Sequence, residues 1–151
     1  MKVLILGAGK PGRLLSGAIR EYEVRAGRYF PLNVVEVTGG RSASRIEAEA
    51  DRLVGRVPEG FDVVALTRQG RRWSSRKLAR YLARLGLDRR PGVAFVVGGP
   101  FGLGEALLER ATHRLSLSAL SLPRDIARLL LAEQVYRAGT LIRGEPYHKG
   151  G

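Results

Sequence analysis

Residues 93–104 read Val93-Ala94-Phe95-Val96-Val97-Gly98-Gly99-Pro100-Phe101-Gly102-Leu103-Gly104. Five apolar residues in a row, without polar alternation, predict a strand buried on both faces, as interior strands of parallel sheets are. The strand runs directly into a loop with four glycines around one proline. Glycine permits positive φ and lets a ligand approach the backbone with no Cβ in the way. Ligands of open α/β sheets bind beyond the carboxyl ends of the strands, so this strand and loop point to a fold class and a place for a site. The loop lacks the Gly-Lys-Ser/Thr ending of a P-loop, which disfavours nucleoside triphosphate hydrolysis. By itself it names no ligand, since a sharp turn into the next helix would have the same composition.

Outward from this strand the pattern alternates. Residues 3–6, 34–37 and 63–66 predict short apolar strands, and 13–26 and 44–57 predict helices, the latter with Ile46, Ala50, Leu53, Val54 and Val57 inward. A further helix follows Ser74 or Ser75, either of which can cap it. Beyond the loop, 105–112 predicts a helix and 115–122 a strand of alternating Leu and Ser. Pro123 then opens a long helix through Ile126, Leu129, Leu130, Val135 and Tyr136, ending near Gly144. Alternating β and α elements imply an α/β fold with a parallel sheet and helices on both faces. No repeat, low-complexity segment or linker divides the chain, so residues 1–151 are expected to form a single domain.

Composition narrows the function. The 151 residues contain no cysteine, which excludes a disulfide framework, a thiolate nucleophile and a Cys-based zinc site. The two histidines, His113 and His148, are far apart in sequence, so no metal site is expected. No run approaches the roughly 18–20 apolar residues of a membrane span, and the opening Met1 to Lys10 reads as a first strand, not a signal peptide; a cytoplasmic protein is expected.

The formal net charge is +12, and it is unevenly spread. Residues 68–90 carry nine basic side chains against Asp88 alone, a net +8 within 23 residues. Arg supplies 22 of the 26 basic groups, and its planar fork suits bidentate phosphate contacts. After Ser75, Leu78, Tyr81, Leu82 and Leu85 recur at helical spacing, while Arg76, Arg80 and Arg84 form a basic stripe beside them. Like charges four apart on a helix repel, so the stripe does not serve helix stability. It reads either as a solvated face or as a phosphate-tracking surface for nucleic acid.

A second glycine loop competes for a cofactor. Gly7-Ala8-Gly9-Lys10-Pro11-Gly12 is a literal G-x-G-x-x-G after a strand and before a helix, which would suit NAD(P). Pro11 removes one backbone donor, and Glu36 is the acid near the end of the second strand. An ordinary β–α turn is the other reading. His113 reads as an ordinary surface or helix-end residue.

Four ordered segments carry a resemblance. Val96 to Leu103, Leu115 to Pro123, Glu133-Gln134-Val135-Tyr136-Arg137-Ala138 and Gly144-Glu145-Pro146-Tyr147-His148-Lys149 closely resemble the RlmH family, SPOUT-class methyltransferases acting on N3 of a pseudouridine in 23S ribosomal RNA. The opening Met1 to Lys10 and Glu21-Tyr22-Glu23 are also similar, so the resemblance spans the chain. It implies a C-terminal trefoil knot, an exception to the rule against threaded chains. It also implies a homodimer acting on the 23S rRNA intersubunit stem-loop within the ribosome.

The cofactor implied is S-adenosyl-L-methionine, with contacts at Leu66, Gly98, Leu117, Ser118, Ala119, Leu120, Ser121 and Leu122. His148 and Arg137 are the catalytic candidates, and Arg76, Arg80, Arg84, Tyr147 and Lys149 the RNA-binding ones. The sequence departs from the family at Phe101, where relatives commonly have an acidic or polar residue, and at Thr67 and Arg71, where an acid and a lysine are frequent. Residues 38–45 also look short beside relatives. A non-enzymatic RNA-binding module would share the basic helix but would need no glycine loop at 98–104.

Overall fold

A computed structural model of the protein describes residues 1–37, 44–98 and 102–148, with backbone alone at 44–49 and 148. The elements run β1 (Lys2–Ala8), α1 (Ser16–Ala26), β2 (Leu32–Val37), α2 (Ser44–Gly55), β3 (Asp62–Arg72) and α3 (Ser75–Leu87). Then follow β4 (Gly92–Val97), α4 (Glu105–Arg110), β5 (His113–Ser116), α5 (Arg124–Arg143) and a single 3-10 turn, Pro146–His148. All five strands are parallel, in the order β2-β1-β4-β3-β5. The unbroken apolar run forms β4, the centre of the sheet, buried along its whole length.

Helices cover both faces, as the alternation predicts. Side chains alternate across each strand, so Val3, Ile5, Val93 and Phe95 pack with α1, α3 and α5, while Leu4, Leu6, Ala94 and Val96 pack with α2 and α4. Burying each such Leu, Ile or Phe contributes roughly 1.5–3 kcal/mol. Helix α3 begins where expected: Ser74 is its cap, the hydroxyl oxygen accepting from Lys77 N–H at 3.1 Å. Leu78, Leu82 and Leu85 are buried, and Arg80 and Arg84 are exposed on the opposite side.

Two strand boundaries differ from the sequence expectation. Strand β3 continues past residue 66 to Arg72, taking in Arg68, Arg71 and Arg72, so the basic run starts on the strand and continues on α3. Its pairing with β5 is irregular: Leu115 opposes both Leu66 and Arg71, and residues 67–70 bulge out between them. Strand β5 stops at Ser116, so 117–122 is a loop and not the alternating strand expected. The hydroxyl of Ser116 donates to Ser118 C=O at 2.9 Å, and Ser118 Oγ accepts from Leu120 N–H at 3.0 Å. Such local bonds offer the backbone an alternative to the ladder, and here they turn it off the sheet. Smaller shifts put the start of α1 at Ser16 and the ends of α2 and α4 at Gly55 and Arg110.

Candidate active site

A cleft of about 730 Å³ opens at the carboxyl ends of the neighbouring strands β4, β3 and β5, a size within the usual range for small-molecule sites. The bulge after Leu66 forms one wall, and Val97, Gly98, Gly102 and Leu103 form a second. The loop from Leu117 to Pro123 and the first turn of α5 close it. Of the eight cofactor residues expected, Leu66, Gly98, Leu117, Ser118, Leu120, Ser121 and Leu122 line this cleft, whereas Ala119 is outside the lining. Arg68 ties two walls together, its guanidinium donating to Ser121 Oγ at 3.0 Å.

Gly98 earns its place by crowding. A Cβ there would come within 3.0 Å of Gly102 C and O and of Leu103 Cδ2. Gly102 itself has φ +79°, a conformation L side chains rarely adopt. In the 117–122 loop, Leu120 has its N–H satisfied by Ser118, while the N–H groups of Ser118, Ala119, Ser121 and Leu122 have no partner among the described residues. The loop therefore supplies backbone donors and small apolar surface together. That donor set suits a polar ligand with an aromatic or apolar body. Gly99, Pro100, Phe101 and Lys149 lie outside the described residues, as does the side chain of His148.

The competing glycine loop is closed from within. Asp125 Oδ2 accepts from Gly12 N–H at 2.7 Å, and Arg124 donates to Ala8 C=O and, at 2.9 Å, to Lys10 C=O. Glu36, the acid a ribose would need, is ion-paired at 3.0 Å with Arg128, which also holds Glu23 at 2.9 Å. Arg128 is only 4% exposed. Burial acts to lower its pKa, but the two carboxylates outweigh that and raise it, so it stays charged. The loop at 7–12 is thus a clamped β–α turn.

Arg137 stands apart from the cleft. It lies thirteen positions along α5 from Arg124, roughly 20 Å at the helical rise. Its guanidinium holds Glu133 Oε1 at 2.6 and 3.0 Å and stacks over the Tyr147 ring, 5.1 Å from the centroid. Tyr147 donates to the same carboxylate oxygen at 3.1 Å and packs on Tyr136 at 4.5 Å. Burial first, then contacts with Tyr22 and Glu133, push the Tyr147 pKa up. Of the basic stripe, Arg84 is paired with Asp88 at 2.9 Å. His113 is not an isolated surface residue: it opens β5 and packs edge-on against Tyr81 and Trp73. Among the described residues no cluster of His, Asp and Glu could hold a metal ion, and no helix is long and apolar enough to cross a membrane.

Fold and site define a class: a parallel α/β protein whose cleft is built from three loops on adjacent strands, with the β1 turn excluded. The family described as "Predicted SPOUT methyltransferase" matches residues 1–148. The chain is 49% identical to ribosomal RNA large subunit methyltransferase H of Gemmatimonas aurantiaca, over 99% of this chain and 100% of the relative. It is 41% identical to the protein of the same name in Rubrobacter xylanophilus, over 97% and 98%. Among solved structures, one described as a hypothetical protein has a TM-score of 0.57 at 18% identity, over 94% of this chain and 81% of that one. A Legionella pneumophila chain, described as a methyltransferase in complex with SAM, has a TM-score of 0.54 at 12% identity, over 91% and 66%. The chain belongs to the SPOUT methyltransferase family, alongside the large subunit methyltransferase H proteins.

Proposed function

We propose that the protein is an S-adenosyl-L-methionine-dependent methyltransferase acting on N3 of a pseudouridine in 23S rRNA, at the intersubunit stem-loop of the cytoplasmic ribosome. The observation that carries this reading is the cleft at Leu66, Gly98 and 117–122, in a chain 49% identical over nearly its whole length to a large subunit methyltransferase H. Residues 1–151 are read as one SPOUT domain whose C-terminal third forms the knot.

The bound cofactor supplies an electrophilic methyl group on a sulfonium sulfur. The chain's work is then binding, orientation and proton removal. Leu66, Leu117 and Leu122 would offer the cofactor apolar surface, the unpaired N–H groups of Ser118, Ser121 and Leu122 would meet its polar atoms, and Gly98 lets the loop approach closely. Pseudouridine N3 carries an imide proton that must leave. His148 is assigned as the base or orienting group, since its type has a suitable unperturbed pKa. Arg137, fixed by Glu133, positions the nucleotide together with Tyr147 and Lys149. Arg76, Arg80 and Arg84 meet the phosphate backbone.

Arg137 and Tyr147 lie toward the far end of α5 from the cleft of their own chain, so a homodimer is part of this reading. Leu14 (92% exposed), Leu120 (75%) and Leu130 of α5 (38%) are large apolar side chains open to solvent, which a partner copy would cover.

The test is calorimetric titration with S-adenosylhomocysteine and, separately, NADPH, followed by transfer of labelled methyl to ribosomes that lack this modification. One S-adenosylhomocysteine per chain and methylated 23S rRNA are expected. NADPH binding alone would move the site to Gly7–Gly12 and overturn the reading.

A further inference from the structure

The bulge at 67–70 has a cleft on each side of it. Beyond the one described, a second of about 600 Å³ lies between α3 and the outer edge strand β5, and Gln69 lines both. Its body is aromatic. Trp73, Tyr81 and His113 form a mutually packed triad with centroid distances of 5.1–5.3 Å. Tyr81 is anchored from below, donating to Asp62 Oδ2 at 2.8 Å, and Arg90 holds the other oxygen of that carboxylate at 2.8 Å. Burial and this bond raise the Tyr81 pKa, so the hydroxyl remains a donor. The floor is tight: a Cβ on Gly70 would sit 2.6 Å from Arg114 C.

The rim is basic. Arg71, Lys77 and Arg114 line the cleft and no carboxylate does. None of the three makes an ion pair among the described residues. Lys77 Nζ rests over the Trp73 ring, 5.3 Å from its centroid. An exposed cation over an indole face is weakly held and easily displaced. The three rings are tilted by 60–88° to one another, so the stacking face is that of Trp73 alone; with cations free of ion pairs around it, it is complementary to one planar base carrying a phosphate. A duplex cannot offer it such a face, because its bases are stacked and paired.

We infer that this second cleft takes one unpaired nucleotide of the RNA substrate, its base stacked on Trp73 and its phosphate held by Arg71, Lys77 and Arg114. The inference rests on the methyltransferase reading and adds to it a positioning site for a nucleotide flanking the target. The two clefts share the 67–70 wall, so a strand held in the second can present a neighbouring nucleotide at the mouth of the first, where the cofactor sits, and the stacked base fixes which neighbour is methylated.

Trp73 is the chain's only tryptophan, so its fluorescence reports occupancy of this cleft without background. The intact protein is titrated with a single-stranded oligouridylate, with an RNA duplex of equal length and with polyglutamate. Steady-state methylation of ribosomes is measured in parallel for wild type, Trp73→Leu, Trp73→Tyr and Arg71→Gln. Single-stranded RNA is expected to quench Trp73, with a response that falls steeply as salt rises. Trp73→Leu should raise KM for ribosomes by about ten-fold with kcat little changed, Trp73→Tyr should retain most of the affinity, and S-adenosylhomocysteine should bind both variants as it binds wild type.

A silent Trp73 and an unchanged KM in Trp73→Leu and Arg71→Gln, in a protein that still methylates ribosomes, overturn the inference and leave the methyltransferase reading standing. Quenching by polyglutamate but not by RNA also overturns it, in favour of an acidic protein partner. Failure of the wild type to methylate ribosomes at all removes both.

Discussion

Gly98 shows how a single residue type can be fixed by the chain's own approach. The atoms a Cβ would meet are the backbone of Gly102 and the side chain of Leu103, each at 3.0 Å. Ligand clearance, which the sequence suggested, is thus only part of the requirement: the loop must also fold back over its own start. Gly98→Ala asks Gly102 to yield by a few tenths of an ångström, whereas Gly98→Val asks for more than a backbone contact can give. The variant should lose S-adenosylhomocysteine binding by well over ten-fold while keeping its far-UV dichroism and a cooperative melt. Calorimetry decides it, and wild-type affinity in folded Gly98→Val would remove this cleft as the cofactor site. Arg128 is the opposite kind of residue: its two carboxylate partners account for its burial, and nothing about the cleft requires it.

At the scale of elements, α3 carries two messages on two faces. Leu78, Leu82 and Leu85 pack it on the sheet, while Arg76, Arg80 and Arg84 lie exposed, four apart, where like charges repel one another. If the stripe tracks phosphates, replacing all three by Gln should weaken ribosome binding and flatten its salt dependence by up to about 0.7–0.9 log units per lost contact. Arg84 already has Asp88 as a partner, so its share should be the smallest. Equal activity and an equal salt slope in the triple variant would make the stripe a solvated face.

The same elements show what a sequence makes legible. Strand β4 could be read directly, because five consecutive apolar residues have few other ways to be satisfied. Helix α3 could be read because apolar spacing and a capping serine agree. The loop at 117–122 could not, since Leu-Ser alternation has strand period and only the hydroxyl bonds of Ser116 and Ser118 break it; its site role was legible through family resemblance alone. The turn at 7–12 matched a cofactor fingerprint, yet the carboxylate that closes it comes from 113 residues away. Local pattern carries no record of such a contact. The cluster around Trp73 was missed for the same reason, because His113 reaches it only once β5 pairs with β3.

The whole molecule poses a problem of distance. The cleft sits at the start of α5, and Arg137, Glu133 and Tyr147 are assembled further along it, outside the cleft's lining. A two-fold pair can bring the two together, if each copy lends its far end to the other's cleft, and the exposed Leu14, Leu120 and Leu130 give such a pair apolar surface to bury. Mixing two inactive variants separates the alternatives. Gly98→Val ruins a cleft but leaves Arg137 intact, and Arg137→Ala does the reverse. If the sites are shared between copies, a mixed dimer contains one site with both parts intact. Random pairing should then restore about a quarter of wild-type methylation per mole of chain, since half the dimers are mixed and each holds one good site. If each chain completes its own site, every site in the mixture lacks one part, and co-expressed variants should be no more active than either alone. The comparison needs only that both proteins fold and exchange partners, which sedimentation of the purified mixture establishes before activity is measured.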